Sequence, residues 1–187
     1  MSAPISTFIT APDGLKLHAR CYGRSSTAVL PVVCLPGLAR SAGDFEVLAQ
    51  ALSAEGRRVV ALDYRGRGRS EYDKDPSNYS FQVELADVIA VITALECQPA
   101  VFVGTSRGGI LTMLLAAQRP TAIAAAVLND IGPVIEPKGL MRIKGYVGKL
   151  PQPRDYEEAA EILRRLFDAQ FPKLTTADWL ASAHRNF

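Results

Sequence analysis

The stretch that decides the fold reads Val101-Phe102-Val103-Gly104-Thr105-Ser106-Arg107-Gly108-Gly109-Ile110. It joins an apolar run typical of a buried strand to the start of a helical pattern, with Gly-x-Ser-x-Gly at the junction. A sharp turn there lifts the serine hydroxyl above the sheet edge, and the helix N-terminus behind it favours developing negative charge. The alternative is a glycine-rich turn with an idle serine, but the strand–turn–helix context favours Ser106 as a catalytic nucleophile.

The segments around this turn predict an α/β fold. Continuous apolar runs typical of strands buried on both faces occupy residues 32–35, 59–62 and 123–128. Helical periodicity separates them, most clearly over residues 81–95. Strand–helix alternation predicts a mostly parallel, doubly wound sheet. Near the N-terminus, Asp13-Gly14 indicates the turn of an antiparallel hairpin.

The composition changes after Pro133, where proline and glycine punctuate the chain as far as residue 153. This stretch is expected to be loop. Two amphipathic helices are predicted to follow at residues 155–170 and 175–184, each beginning with a capping box. We therefore expect two parts: residues 1–136 as the core and residues 137–187 as part of a helical cap.

Composition excludes several classes of protein. The chain has 187 residues and a formal net charge of +2, which provides no electrostatic footprint for nucleic acid. Its three cysteines are too widely spaced for a disulfide framework or a zinc cluster. There is no 18-residue apolar run and no signal-peptide pattern. We expect a cytoplasmic protein without metal or other cofactor, acting on a small molecule and not on a membrane.

With these motifs in place, the sequence resembles the α/β-hydrolase family from about residue 5 to the end. Leu35-Pro36-Gly37-Leu38-Ala39-Arg40 is similar to the family's loop after an early strand, although many members have His-Gly where this chain has Pro36-Gly37. The segments at 63–70 and 129–133 are similar to two of its later turns. The resemblance implies an oxyanion hole formed by the backbone N–H groups of Leu38 and Arg107.

The family resemblance also implies a catalytic acid and then a histidine, both after the serine in the chain. Asp130, after the apolar run 123–128, is a candidate for the acid, with turn formation as the alternative. His18 falls on the polar face of the predicted hairpin and is expected at the surface, while His184 is expected to be structural. We therefore expect the base histidine and the last strands beyond Phe187, with run 123–128 as an exposed edge completed by a C-terminal polypeptide.

The implied function is a serine hydrolase that cleaves carboxylic esters through an acyl-enzyme at Ser106. Two alternatives stay open: a carbon–carbon bond hydrolase or peroxidase-type member of the same fold, and a non-catalytic fragment that lacks the base. Three arginines alternate with glycine at positions 65, 67 and 69 and are expected to lie in a solvated loop. The Arg107 side chain is expected either at the surface or facing an anionic group of the substrate.

Overall fold

In the computed structural model, which describes residues 3–26, 28–147, 149 and 152–186, the strands form one mixed sheet. The strands described are β1 (Ile5–Thr10), β2 (Lys16–Tyr22), β3 (Val32–Leu35), β4 (Val59–Leu62), β5 (Ala100–Thr105) and β6 (Ile123–Asn129). Their order is β1-β2-β4-β3-β5-β6. The β1–β2 and β2–β4 pairs are antiparallel and the others are parallel. The predicted mixed α/β sheet with an N-terminal hairpin is confirmed.

Helices cover both faces of this sheet. Helices α2 (Phe81–Ala94) and α3 (Arg107–Gln118) bury residues such as Val88 and Leu111 in the larger apolar cluster. Helix α1 (Glu46–Ala54) buries Ala49 in the smaller cluster, with alternate residues of β3 and β4. Successive side chains of a strand point to opposite faces, so each of these strands contributes to both clusters. This arrangement explains why their sequences read as unbroken apolar runs.

Strand β6 forms one edge of the described sheet, with β5 as its neighbour. All its residues after Ile123 are exposed, including Val127 at 52%. The expectation that this apolar run would form an exposed edge is therefore confirmed for the residues that the structure describes. An uncovered apolar edge offers unpaired backbone groups to another strand.

The chain divides into two compact units, Met1–Val134 and Ile135–Phe187. The second contains α4 (Pro137–Tyr146), α5 (Tyr156–Phe167) and α6 (Thr176–Asn186). Helix α4 lies where a loop was expected, and that prediction was wrong: proline suits the first turn of a helix because its fixed φ is already helical. No helix in the described parts of the chain combines the length and apolar character needed to span a membrane.

The capping box predicted for α6 is complete, because the Thr175 N–H also donates to Asp178 at 2.8 Å. At α5 only the N-cap bond is present, because the Glu158 carboxylate accepts from the Arg154 N–H and not from that of Asp155. The Asp155 carboxylate accepts a hydrogen bond from the Glu158 N–H at 2.8 Å. The Thr175 hydroxyl accepts one from the Asp178 N–H at 3.3 Å. Between the two helices lies a small apolar core that includes Leu163 from α5 and Trp179 from α6. The apolar face of each amphipathic helix is therefore buried within its own unit.

Candidate functional site

Ser106 lies in the turn between β5 and α3, in a backbone conformation that non-glycine residues rarely adopt. Its φ is 49° and its ψ is −108°. The Ser106 N–H donates to the Asn129 carbonyl at 2.9 Å, and the Ser106 carbonyl accepts from the N–H of Gly109 at 2.9 Å. The turn is thus held on one side by the end of β6 and on the other by the first turn of α3. Strain that is fixed in this way is typical of functional sites.

Two glycines allow the helix to start so close to the sheet. A Cβ on Gly104 would lie 2.5 Å from the Gly108 carbonyl oxygen. A Cβ on Gly108 would overlap the Leu35 carbonyl oxygen at the end of β3. Real Cβ atoms do not approach backbone so closely, so only glycine fits either position. The sequence pattern therefore reflects backbone contact between α3 and two neighbouring strands.

The loop after β3 lies beside the serine. A Cβ built on Gly37 would be 3.9 Å from the Ser106 Cβ. The Arg40 N–H donates to the Gly37 carbonyl at 3.2 Å, and Ala39 between them has a φ of 58°. Beyond this turn, the Asp63 carboxylate accepts a hydrogen bond from the Ala42 N–H at 2.6 Å. These bonds hold the loop in its own turn and attach it to Asp63 after β4, and the Gly37 contact places it beside Ser106.

Two amides at this place have no hydrogen-bond acceptor among the described residues: the N–H of Leu38 and the N–H of Arg107. The Arg107 amide belongs to the first residue of α3, where no preceding helical carbonyl is available. Leu38 is 39% exposed, so its loop is open to solvent. Free amides next to a serine are the groups that can bind an oxyanion.

The Arg107 side chain lies in neither of the positions expected from the sequence, at the surface or facing an anionic group of the substrate. Its Nε donates to the Glu84 carboxylate at 2.6 Å, and its guanidinium carbon lies 4.2 Å from the centre of the Phe81 ring. The two paired side chains are only 15% and 6% exposed. Arg107 is therefore neither a surface residue nor aimed at solvent for a substrate. It attaches the first residue of α3 to α2, because both partners belong to that helix.

Asp130 follows the last residue of β6 and has a φ of 54°. It is exposed, and its neighbour Asn129 provides the carbonyl that accepts the Ser106 N–H. The structure thus places Asp130 and Ser106 at the carboxyl ends of the adjacent parallel strands β6 and β5, as expected.

His18 contradicts the sequence prediction of a surface residue, because it is completely buried. Its Nδ1 is 2.7 Å from the Asp63 carboxylate and its Nε2 is 2.9 Å from the Ser6 hydroxyl. The alternation of polar and apolar residues along β2 predicted that His18 would face solvent. In the structure β2 is an internal strand, and the His18 ring is hydrogen-bonded to Asp63, which lies 45 residues later in the chain. His184, in the second unit, is exposed, with its ring centre 3.9 Å from that of Tyr156.

Arg65 also differs from the prediction of a solvated loop. It is 1% exposed and makes a bidentate pair with Asp87 on α2, with both distances 2.7 Å. Asp13 and Asp73 each accept a further bond at 2.9 Å. The hydrogen bonds that Arg65 donates to Asp87 are the main reason that the pKa of Arg65 is raised. The arginine therefore joins the loop to the hairpin turn and to α2.

The remaining reactive groups in the described part of the chain do not form a metal site. Within residues 3–26, 28–147, 149 and 152–186, no group of three or more His, Cys, Asp or Glu side chains is placed to hold a metal ion. Cys34 and Cys97 are buried free thiols. Burial raises the pKa of Cys34 to about 12, so this thiol stays protonated at neutral pH.

Residues 31–175, which include the Ser106 turn and the Leu38 loop, match the family described as alpha/beta hydrolase fold. The chain belongs to this family. It is similar to a 3-hydroxybutyrate-oligomer hydrolase of Cupriavidus necator, with 31% identity over 180 residues that are 95% of this chain and 61% of the relative. It is also similar to a non-heme chloroperoxidase of Streptomyces lividans, with 33% identity over 128 residues that are 68% of this chain and 45% of the relative.

Among solved structures, an alpha/beta hydrolase from Novosphingobium aromaticivorans superposes with a TM-score of 0.92 and 43% sequence identity. The match covers 99% of this chain and 64% of that one. This member of the α/β-hydrolase fold family therefore spans less than two thirds of these relatives' lengths.

Proposed function

We propose that the protein hydrolyses carboxylic esters through an acyl-enzyme on Ser106. The observation that carries this proposal is the backbone of Ser106, with φ 49° and ψ −108° between β5 and α3. A serine that has a strained backbone conformation, and that hydrogen bonds hold on both sides at the start of a helix, exposes a nucleophilic hydroxyl at the end of the strand. A glycine-rich turn without catalytic function would not need a non-glycine residue in this conformation.

The second part of the proposal is an oxyanion hole made by the N–H groups of Leu38 and Arg107. Attack of the Ser106 oxygen on an ester carbonyl moves an electron pair onto the carbonyl oxygen. Two amides without acceptors, one at a helix N-terminus, stabilise that charge. Loss of one such donor typically reduces turnover by a factor of about 100 to 1000.

The acid and base belong to the proposal as well. We assign the acid role to Asp130, because it follows the strand whose last carbonyl accepts the Ser106 N–H. His18 is held by Asp63 and Ser6. We therefore propose that the histidine that accepts the Ser106 proton is provided by polypeptide outside this sequence. We also propose that residues 1–136 are the core and that residues 137–187 are part of a helical cap.

The relatives support an ester as substrate. One is named a 3-hydroxybutyrate-oligomer hydrolase, and oligomers of a hydroxy acid are joined by ester bonds. The same nucleophile and oxyanion amides serve any small carboxylic ester, with the acyl group transferred first to Ser106 and then to water.

The experiment compares the longest natural form of the protein with its Ser106→Ala variant on p-nitrophenyl esters. We expect a loss of at least about 1000-fold in kcat, because the covalent step is removed. Ser25→Ala, at an exposed serine in the loop before β3, is the matched control and should keep the parent rate. Equal rates for the parent and Ser106→Ala would refute the proposal.

Peroxidase-type chemistry is a second candidate, favoured by the similarity to a non-heme chloroperoxidase. It would use the same serine and amides and differ in the acyl acceptor. Hydrogen peroxide would replace water in attacking the acyl-enzyme, giving a peracid. Ester hydrolysis without peracid formation in peroxide and acetate would exclude this alternative. Ester turnover that is absent in every natural form would instead favour a non-catalytic role.

A further inference from the structure

A second serine, remote from the Ser106 turn, is hydrogen-bonded to a histidine that is in turn bonded to a carboxylate. The Ser6 hydroxyl is 2.9 Å from His18 Nε2, and His18 Nδ1 is 2.7 Å from Asp63. Such a relay is recognised by its geometry and by the role of each group, whatever the order in the chain. We propose that Ser6 is a second reactive serine, acylated by small activated esters and phosphonylated by organophosphonates, with His18 as general base.

The direction of the hydrogen bonds supports this assignment. Besides the histidine, the Asp63 carboxylate accepts bonds from the N–H groups of Ala42 at 2.6 Å and Arg69 at 3.1 Å. The buried Asp63 carboxylate is thus surrounded by three hydrogen-bonding groups, one of them the His18 ring. A carboxylate oxygen only accepts, so Nδ1 is the ring nitrogen that donates to Asp63, and the proposal assigns the lone pair of Nε2 to the contact with Ser6. The Ser6 hydroxyl therefore donates to a ring nitrogen that is ready to take its proton.

A guanidinium completes the environment of the hydroxyl. Arg69 donates from one terminal nitrogen to the Ser6 oxygen at 2.6 Å. A guanidinium has only donors, so the same serine oxygen accepts from Arg69 while its proton goes to His18. A positive charge at that distance stabilises the oxygen as its proton leaves, and it can bind the oxyanion of the tetrahedral intermediate.

The site is open to a reagent although its base is protected. Ser6 and Arg69 are exposed, and Phe8, over which Arg69 lies at 5.4 Å, is 50% exposed. The side chains of His18 and Asp63 are 0% and 3% exposed. Buried polar partners hold the imidazole in one orientation, while the aromatic ring offers an apolar surface for the acyl group.

The covalent step is ordinary acyl transfer. The Ser6 oxygen forms a bond to the carbonyl carbon while its proton moves to His18 Nε2. The bond to the leaving alcohol or phenol then breaks, and that group takes the proton from His18. Water can remove the acyl group by the same steps in reverse order, with His18 again as base. With a fluorophosphonate the phosphorus–fluorine bond breaks instead, and the adduct is stable enough to map.

This inference does not depend on the proposed function. Ser6 lies on β1 at one edge of the sheet, whereas Ser106 follows β5 beside the opposite edge. The experiment therefore uses the Ser106→Ala variant of the full chain, in which the Ser106 turn cannot react. This protein is incubated with a fluorophosphonate, and adducts are located by peptide mass spectrometry, with a known serine hydrolase present to verify the reagent.

We expect one dominant adduct, on Ser6. In the Ser106→Ala background, His18→Gln should slow its formation by about 100-fold or more, the usual contribution of a general base. Because His18 is buried, this variant is first checked for native circular dichroism. Arg69→Gln, at an exposed position, should retain the fold and slow labelling by about tenfold. Arg67→Gln is its matched control, because Arg67 donates to the Gly66 carbonyl and not to Ser6.

Two results would overturn the inference. One is an absent Ser6 adduct while the reference hydrolase is fully labelled. The other is a Ser6 adduct that forms at equal rates in the Arg69→Gln and Arg67→Gln variants. Slower labelling of Ser6 in a natively folded His18→Gln variant than in its parent would support the general-base role.

Discussion

Ser106 and Ser6 lie in the same compact unit and show two different ways of preparing a serine hydroxyl. Around Ser106 the contacts described are made by backbone: a positive φ, a carbonyl from β6, two amides without acceptors and two glycines against strand ends. Around Ser6 they are made by side chains, from His18, Asp63 and Arg69. The first arrangement favours binding an oxyanion and the second favours removing a proton. The two sites thus prepare a serine hydroxyl by different means, one with backbone amides and the other with polar side chains.

The largest effect is expected from breaking the backbone arrangement alone. Gly108→Ala puts a methyl group onto the Leu35 carbonyl oxygen, so α3 must move away from β3. We expect the free energy of unfolding to fall by about 3 kcal/mol, at the upper end of the usual cost of overpacking. Urea unfolding followed by circular dichroism measures it. Any folded protein should lose reactivity at Ser106 and keep the Ser6 adduct.

Gly132→Ala is the matched control for this experiment, since a Cβ at Gly132 meets nothing within 4 Å. Its free energy of unfolding should change by less than about 0.5 kcal/mol. If the Gly108→Ala variant were as stable as this control, the claim that the Ser106 site depends on close backbone packing would be contradicted.

A smaller effect is expected at the ion pair that, together with the Phe81 contact, attaches the Arg107 side chain to α2. Glu84→Gln weakens the 2.6 Å pair that holds the first residue of α3. If the Arg107 amide binds the oxyanion, kcat on p-nitrophenyl esters should fall by about tenfold with KM nearly unchanged, because that contact strengthens in the transition state. Steady-state kinetics on the longest natural form separates the two constants.

The control for Glu84 is Asp87→Asn, one turn further along the same helix. Asp87 pairs with Arg65 and is fully buried, so this variant should lose stability without altering kcat of the folded protein. An equal fall in kcat for the two variants would mean that Glu84 acts only through stability.

The smallest effect is expected at two ion pairs on the protein surface. They provide a reference for the effects of the buried ion pairs. The Arg164 and Arg165 guanidiniums lower the pKa of Glu161 to about 2 from its ordinary value of 4.5. A lowered pKa means that this stabilisation is present above about pH 4.5 and disappears as the pH falls towards 2. Glu161→Gln should therefore lower Tm by no more than about 2 °C at pH 6 and by clearly less at pH 2. A constant difference at both pH values would contradict this assignment.

Most elements of the sheet could be predicted because their signals are local. The run at 59–62 is an unbroken apolar segment, and the helix at 81–94 is long enough to show its own period. The failures have a common cause in partners distant along the chain. His18 looked like a surface residue, and its burial depends on Asp63. Arg65 looked solvated, and its burial depends on Asp87, 22 residues away. Burial of a charge is favourable only when its partner is in place, and spacing along the sequence does not reveal that partner.

By itself, the sequence determined the strand–turn–helix at Ser106, because glycine at positions 104 and 108 and the flanking apolar periodicity are properties of consecutive residues. It also indicated which loops would meet that turn, because parallel strands end at one edge of a sheet. Only the tertiary structure decided that the Arg107 side chain turns back to Glu84, and that Ser6, His18 and Asp63 come together. Those contacts join β1, β2 and the end of β4, and only the paired sheet brings such separated polar groups within hydrogen-bond distance.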